Sequence, residues 1–218
     1  MSKTALVVGA TGLVGNLVVD KLVNDSTFSS IVILTRKSLG KSNPKIKEVL
    51  VDFDQLDQHA DAIKADCIFC CLGTTIKKAG SQEAFKKVDY EYPLRVAEIA
   101  KQNGATTYVL ISALGASENS IVFYNRVKGA IQKAIQKISF ETFHILQPSL
   151  IIGERNEKRL GEGIAQKLSP LLDTIMVGGL SKYKSITAEQ IATAMVHYSK
   201  LSDKGMYIHD SLAIKNLT

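Results

Sequence analysis

The stretch Val7-Val8-Gly9-Ala10-Thr11-Gly12-Leu13-Val14-Gly15 constrains this chain more than any other. It ends an apolar run, Ala5 to Val8, that has no polar interruption, the pattern of a strand buried on both faces. After it Leu17, Val18, Leu22 and Val23 fall on one helical face, and Asn24-Asp25-Ser26 stops that helix. Strand, glycine turn and helix form the first unit of a dinucleotide-binding sheet. Gly9 then permits the tight turn, Gly12 lets a pyrophosphate approach the backbone, and Gly15 lets helix and strand pack closely. Free N–H groups and the positive dipole end of the helix face the phosphates, with Thr11, Leu13 and Val14 completing the binding turn.

Apolar runs and helical patterns alternate through the rest of the chain. Strands are predicted at Ile31–Leu34, Val49–Val51, Asp66–Leu72, Tyr108–Ile111 and Thr142–Leu146. Lys37 to Lys47, with Gly40 and Pro44, is a loop. One helix runs from Val88 to Lys101 and is ended by Asn103-Gly104; another runs from Ile121 to Ile138. The alternation predicts an α/β protein with a doubly wound parallel sheet, the Rossmann fold. From Pro148 onward Gly153, Gly161, Gly163, Pro170, Gly178 and Gly179 divide the chain into short pieces. A helix is predicted over Gly163–Leu172, a stronger one over Thr187–Ser199, and a last strand at Met206–Ile208. Residues 1–218 are thus expected to form one domain, with 148–218 as a small substrate lobe packed on it.

Composition narrows the function classes. A hydrophobic content of 45% and a charged content of 22% are those of a globular protein. The net charge of +6 is scattered, without a basic stripe interleaved with aromatics, so no nucleic-acid partner is expected. No apolar stretch is long enough for a bilayer, and the N-terminus enters the first strand without a cleavage site. Cys67, Cys70 and Cys71 are odd in number and lie in an apolar run, where residues three apart face opposite ways, so they are expected as buried thiols. These features point to the cytoplasm or an organelle matrix, and the cytoplasm is the expected address. His59, His144, His197 and His209 are far apart in sequence and unaccompanied, so no metal site is expected, and His144 is assigned to the core. Lys77 and Lys78 are expected to be solvated loop residues.

The second predicted strand ends in Thr35-Arg36-Lys37, where a carboxylate would favour NAD. Arg36 instead offers a planar donor fork suited to a 2′-phosphate, with Lys37 beside it, which favours NADP(H) over NAD(H). Asp52 and Phe53, at the end of the third strand, would flank the adenine, and Phe53 is equally a candidate for the core. Leu72-Gly73-Thr74 end the fourth strand, and Gly73 lets a cofactor lie close to the backbone. The fifth strand ends at Ser112, and Tyr124 and Lys128 follow at positions i and i+4 of a helix, on one face. A tyrosine ordinarily loses its proton near pH ~10. A nearby lysine cation favours the phenolate, and Ser112 can hydrogen-bond an oxygen on which charge develops.

As a set these residues resemble the short-chain dehydrogenase/reductase superfamily, in its extended or atypical branch, and within it the Tat-interacting-protein-like oxidoreductases. The similarity also rests on Val51-Asp52-Phe53, Phe69 to Thr75, Lys77 to Gly80, Val88-Asp89, Ser112 to Ala116, Tyr124 to Gly129, and Gln147-Pro148-Ser149 leading to Gly153-Glu154-Arg155. The resemblance implies an NADP-binding Rossmann fold with Ser112, Tyr124 and Lys128 as the catalytic group. It also implies that Lys128 binds the nicotinamide ribose, that Pro148 places the nicotinamide, and that Arg155 lies near the substrate. The chain departs from the family pattern in three places. Asp89 stands where many relatives carry an asparagine supporting a proton relay, Gln147 stands where they often place arginine, and the tail is short for a nucleotide-sugar enzyme.

The leading expectation is an NADPH-dependent reductase of a small carbonyl compound. The alternatives are an NADP(H)-binding regulatory or scaffold protein with little turnover, and a nucleotide-sugar epimerase or dehydratase. The expected assembly is a monomer or homodimer with no membrane span, and the regulatory alternative adds a protein partner.

Overall fold

Ala5, Leu6, Val7 and Val8 are all fully buried, as a strand covered on both faces must be. They belong to β1 (Lys3–Val8), the centre of the computed structural model, which describes residues 2–152 and 184–217. The other strands of the main sheet are β2 (Phe28–Thr35), β3 (Ile46–Leu50), β4 (Cys67–Cys70), β5 (Thr107–Ile111), β6 (Thr142–Gln147) and β9 (Gly205–Asp210). They lie in the order β3-β2-β1-β4-β5-β6-β9, and every adjacent pair is parallel. A separate parallel pair joins β7 (Ile151–Ile152) to β8 (Ile186–Thr187). The strand order reverses between β1 and β4, which opens a crevice at their C-terminal ends.

Two apolar layers flank the sheet. On one face α1 (Leu13–Asn24) and α6 (Ala188–Tyr198) bury Val18, Leu22, Ile191 and Met195. After the short helices α2 (Ile76–Ala79) and α3 (Gln82–Lys86), α4 (Tyr92–Gln102) and α5 (Phe123–Ile138) bury Val96, Ile99, Ile131 and Ile135 on the other face. Cys67 faces the first layer and Cys70 the second, as the strand period requires. Both thiols are buried, and burial pushes Cys67 up to about 11. A reciprocal capping box between Thr187 and Gln190 starts α6, and Gly104, at φ +90°, follows the Asn103 cap of α4.

Two sequence expectations change. The helix expected from Val88 begins instead as a π-turn, Lys87–Glu91, that runs into α4. Pro93 has no N–H to donate one turn back, so the ordinary helical ladder is interrupted there, and Asp89 is carried into the interior at 1% exposure. The helix expected from Ile121 starts at Phe123, leaving Ile121 and Val122 exposed in the preceding loop. In its described part, the tail expected as a small lobe packed on the domain lies against it: β9, which contains the predicted strand Met206–Ile208, hydrogen-bonds to β6, and α6 packs against α1. The predicted helix Gly163–Leu172, the glycines from 153 to 179, and Arg155 lie outside the described residues.

Sixty-five positions separate His144 and His209, yet pairing of β6 with β9 brings His144 Nδ1 to 3.1 Å from His209 Nε2. Tyr198 stacks on the His209 ring at 3.6 Å between centroids, and Tyr207 lies against His144 at 5.3 Å. Burial holds both imidazoles at about 4; His209 pushes His144 further down, while Asp210 pulls His209 partly back. Both are therefore neutral in the fold, whereas unfolded histidine titrates near ~6.5. Stability is full above the unfolded value and declines as pH falls from there toward 4, because only the unfolded chain takes up protons. One such imidazole removes about 2 kcal/mol between pH ~7.5 and ~5. Urea unfolding at those two pH values checks this, and a midpoint that does not move contradicts it.

Candidate active site

Gly9, at φ +82°, turns the chain sharply after β1, and a Cβ there would lie 2.5 Å from the carbonyl carbon and oxygen of Cys71. The turn after β1 is thus pressed against the turn after β4 at the point where strand order reverses. A Cβ on Gly15 would collide with the Gly9 carbonyl, so helix and strand approach as closely as the spacing of glycines predicts. Gly12 is the exposed N-cap of α1; no side chain caps it, and the first turn carries no acidic residue. The Gly12 N–H donates to the Gly9 carbonyl at 3.0 Å, and the N–H groups of half-buried Leu13 and buried Val14, beside exposed Thr11, precede the first intrahelical bond, from Asn16 N to the Gly12 carbonyl, an arrangement that suits an anion.

Along the crevice, Arg36 and Lys37 are exposed at the end of β2, where Thr35 Oγ1 donates to the Lys37 carbonyl at 2.6 Å. Arg36 makes no ion pair with a described residue, so its donor fork is open. Asp52 is exposed and caps the 3-10 turns Phe53–Ala62, accepting from Asp54 N at 2.9 Å. Phe53 is 7% exposed and packs on Tyr92, so it belongs mainly to the core.

Beyond β4 the chain passes Leu72, Gly73 and Thr74, and here the catalytic candidates come together. Lys128 Nζ lies 2.6 Å from Asp89 Oδ1, with side-chain exposures of 5% and 0%. Asp89 Oδ2 accepts from Thr74 N at 2.8 Å. A Cβ on Gly73 would sit 3.5 Å from Asp89 and 3.6 Å from Lys128, so the backbone after β4 runs directly over the ion pair. Burial by itself pulls the Lys128 ammonium down; the charges of Asp89 and Tyr124 and the Asp89 hydrogen bond overcome it, and the net shift is upward. The lone cation expected beside Tyr124 therefore comes with its own counter-ion.

Tyr124 is half-buried one helical turn before Lys128, with its ring 5.5 Å from that of fully buried Phe85. Ser112 is 4% exposed, and its Oγ accepts from Gln132 Nε2 at 2.5 Å. Among the described residues no hydrogen bond links Ser112 to Tyr124 or Lys128. Pro148 is buried after β6 with its carbonyl accepting from Leu114 N, and Ser149 N donates to Ser211 Oγ at 2.7 Å. The structure thus gathers Gly73, Asp89, Tyr124 and Lys128, and joins Ser112 to Gln132.

Sequence reasoning missed Gln132, although it continues the i, i+4 series of Tyr124 and Lys128 by one further turn. Asp89 was weighed only as an imperfect asparagine. Its signal is an acid between Val88 and Tyr90 in an otherwise amphipathic stretch.

A family model described as NAD(P)H-binding matches residues 9–158. Protein HTATIP2 of Rattus norvegicus is 32% identical over 170 residues, covering 76% of this chain and 70% of the relative. Protein FMP52, mitochondrial, of Candida albicans is 32% identical over 208 residues, covering 93% and 90% respectively. Among solved structures, MoeE5 in complex with UDP-glucose and NAD has a TM-score of 0.72 at 16% identity, covering 98% of this chain and 80% of its own. A UDP-N-acetylglucosamine 4-epimerase from Methanobrevibacter ruminantium M1 has a TM-score of 0.73 at 16% identity, covering 96% and 76%. At such identities the likeness is one of fold. The curated relatives agree with the Tat-interacting-protein-like resemblance. Fungal relatives named mitochondrial overturn the cytoplasmic expectation, because composition and cysteine usage do not distinguish reducing compartments. Among the described residues no helix is long and apolar enough to cross a membrane.

Proposed function

The chain belongs to the NAD(P)H-binding family, and on that footing we propose that it is an NADPH-dependent reductase of small carbonyl compounds. The observation that carries this reading is the convergence of Tyr124 and the buried Lys128–Asp89 pair beneath Gly73, next to the glycine turn that fits a pyrophosphate. When bound, the nicotinamide supplies the hydride for the carbonyl carbon. Tyr124 gives its phenolic proton to the carbonyl oxygen, and Ser112 hydrogen-bonds that oxygen as charge develops on it. Lys128, kept charged by Asp89, holds the ribose hydroxyls and electrostatically supports Tyr124. Pro148 shapes the wall beside the nicotinamide, Asp52 and Phe53 border the adenine, and Arg155 contributes to substrate binding. Arg36 and Lys37 recognise the 2′-phosphate, which is the basis for preferring NADP(H) over NAD(H).

Consumption of NADPH against a panel of aldehydes, ketones and quinones tests the reading. Oxidation by at least one of them is expected. Binding without turnover supports a regulatory protein instead, and consumption of a UDP-sugar without net cofactor change supports an epimerase. Thermal shifts test the cofactor preference. NADPH should raise the melting temperature more than NADH at equal concentration, and Arg36→Ala should remove that difference. Equal shifts in the unmodified protein overturn the role of Arg36.

A further inference from the structure

Ser112 carries one hydroxyl proton and two lone pairs. Gln132 Nε2 donates to its oxygen at 2.5 Å, and the Ser112 backbone N–H is spent on the Leu146 carbonyl at 2.8 Å. Among the described residues nothing accepts the hydroxyl proton. A buried donor left without an acceptor costs free energy, and a ligand oxygen would supply that acceptor. The direction of the contact is set from behind. Gln147 Nε2, at the end of β6, donates to Gln132 Oε1 at 3.1 Å, which leaves the amide nitrogen of Gln132 facing Ser112. Gln132 also lies on the helical face that carries Tyr124 and Lys128.

We propose that Gln132, oriented by Gln147, is a positioning residue that turns the Ser112 hydroxyl proton toward the crevice and makes Ser112 a hydrogen-bond donor to a bound carbonyl oxygen. The proposal rests on the reading of Ser112 given above and deepens it. Neither glutamine touches the reacting atoms. Gln132 places a donor on one of the two lone pairs, held there by Gln147, so the hydroxyl proton cannot turn toward the amide and stays available to a ligand oxygen.

Gln132→Glu tests this because a carboxylate accepts but cannot donate. At neutral pH the Ser112 proton would turn back onto the introduced carboxylate and be lost to the carbonyl. Removal of one such donor lowers turnover by about 10²–10³-fold in known sites. With phenanthrenequinone as the probe, Gln132→Glu should lower kcat at least tenfold while KM and the NADPH Kd stay within about twofold. The loss should shrink as pH falls, because the protonated acid can again donate. Gln132→Leu should lose less, by a factor that does not change with pH.

A readout without turnover accompanies it. In nitrogen-15 NMR of the wild-type protein, one side-chain amide proton of Gln132 should move on Ser112→Ala. If it stays fixed, or if the Gln132→Glu loss is no larger than that of Gln132→Leu and flat with pH, the proposal is wrong. Should Ser112→Ala itself retain full turnover, the underlying role of Ser112 fails. If Ser112→Ala is impaired and Gln132→Glu is not, only the present proposal fails. Where phenanthrenequinone is not reduced, the amide signal alone decides whether Gln132 donates to the Ser112 hydroxyl, and a fixed signal overturns the proposal.

Discussion

Tyr124→Phe should lower turnover of any accepted carbonyl by about 10²–10⁴-fold and leave NADPH affinity within about twofold. The substitution removes one oxygen and little else. The ring contact with Phe85, at 5.5 Å, belongs to the ring and persists in phenylalanine. Lys128 keeps Asp89 at 2.6 Å, so no buried charge is orphaned when the phenol goes. The turn at Gly9 to Gly15 lies on different elements and is untouched. Proton delivery to the carbonyl oxygen is therefore lost while the groups proposed to hold the cofactor remain. Steady-state kcat together with NADPH titration by fluorescence separates the two. Loss of affinity in proportion to kcat would make Tyr124 a binding or folding residue, and undiminished kcat would remove it from the chemistry.

The fold was legible where local pattern determines it. The apolar run before Gly9, the spacing of the three glycines and the alternation of strands and helices each follow from short-range rules, and the sheet order confirms them. The site was legible to the same depth, since Tyr124 and Lys128 share a helical face by spacing alone. What could not be read depends on contacts between distant segments. Asp89 reaches Lys128 only because Pro93 interrupts the helical ladder and a π-turn rotates the acid inward, and a period of 3.6 residues does not encode that rotation. The Gln132 side chain meets Ser112, just after β5, and Gln147, at the end of β6, only once those segments are folded together. His144 and His209 meet only once β9 is laid beside β6, and the predicted strand Met206–Ile208 does not by its own pattern say which strand it pairs with.

Asp89→Leu should destabilise the fold by about 3–5 kcal/mol, because it leaves the Lys128 ammonium buried without a counter-charge. In the intact protein Asp89 also accepts the Thr74 N–H, so the leucine strands that donor as well. Asp89→Asn keeps an acceptor of the same shape and loses only the charge, so it should fall between wild type and leucine. Combining Asp89→Leu with Lys128→Met removes both charges and should recover most of the loss, as replacement of a whole buried pair often does. The pH dependence separates charge from shape. In the wild type Lys128 is held above its ordinary value of 10.5, a contribution present below that value and lost as pH rises through the raised one. In Asp89→Leu the carboxylate's charge and hydrogen bond are gone, and burial, the largest influence, favours the neutral amine against the smaller effects of Tyr124 and Cys70. The penalty is then largest at low pH and fades as pH approaches 10.5, where the unfolded chain loses the same proton. Urea unfolding of the three variants between neutral and alkaline pH should show the single leucine variant gaining on wild type as pH rises. A single-variant loss under about 1 kcal/mol, or a double variant no more stable than Asp89→Leu, would show that the pair is solvated and does not constrain the site.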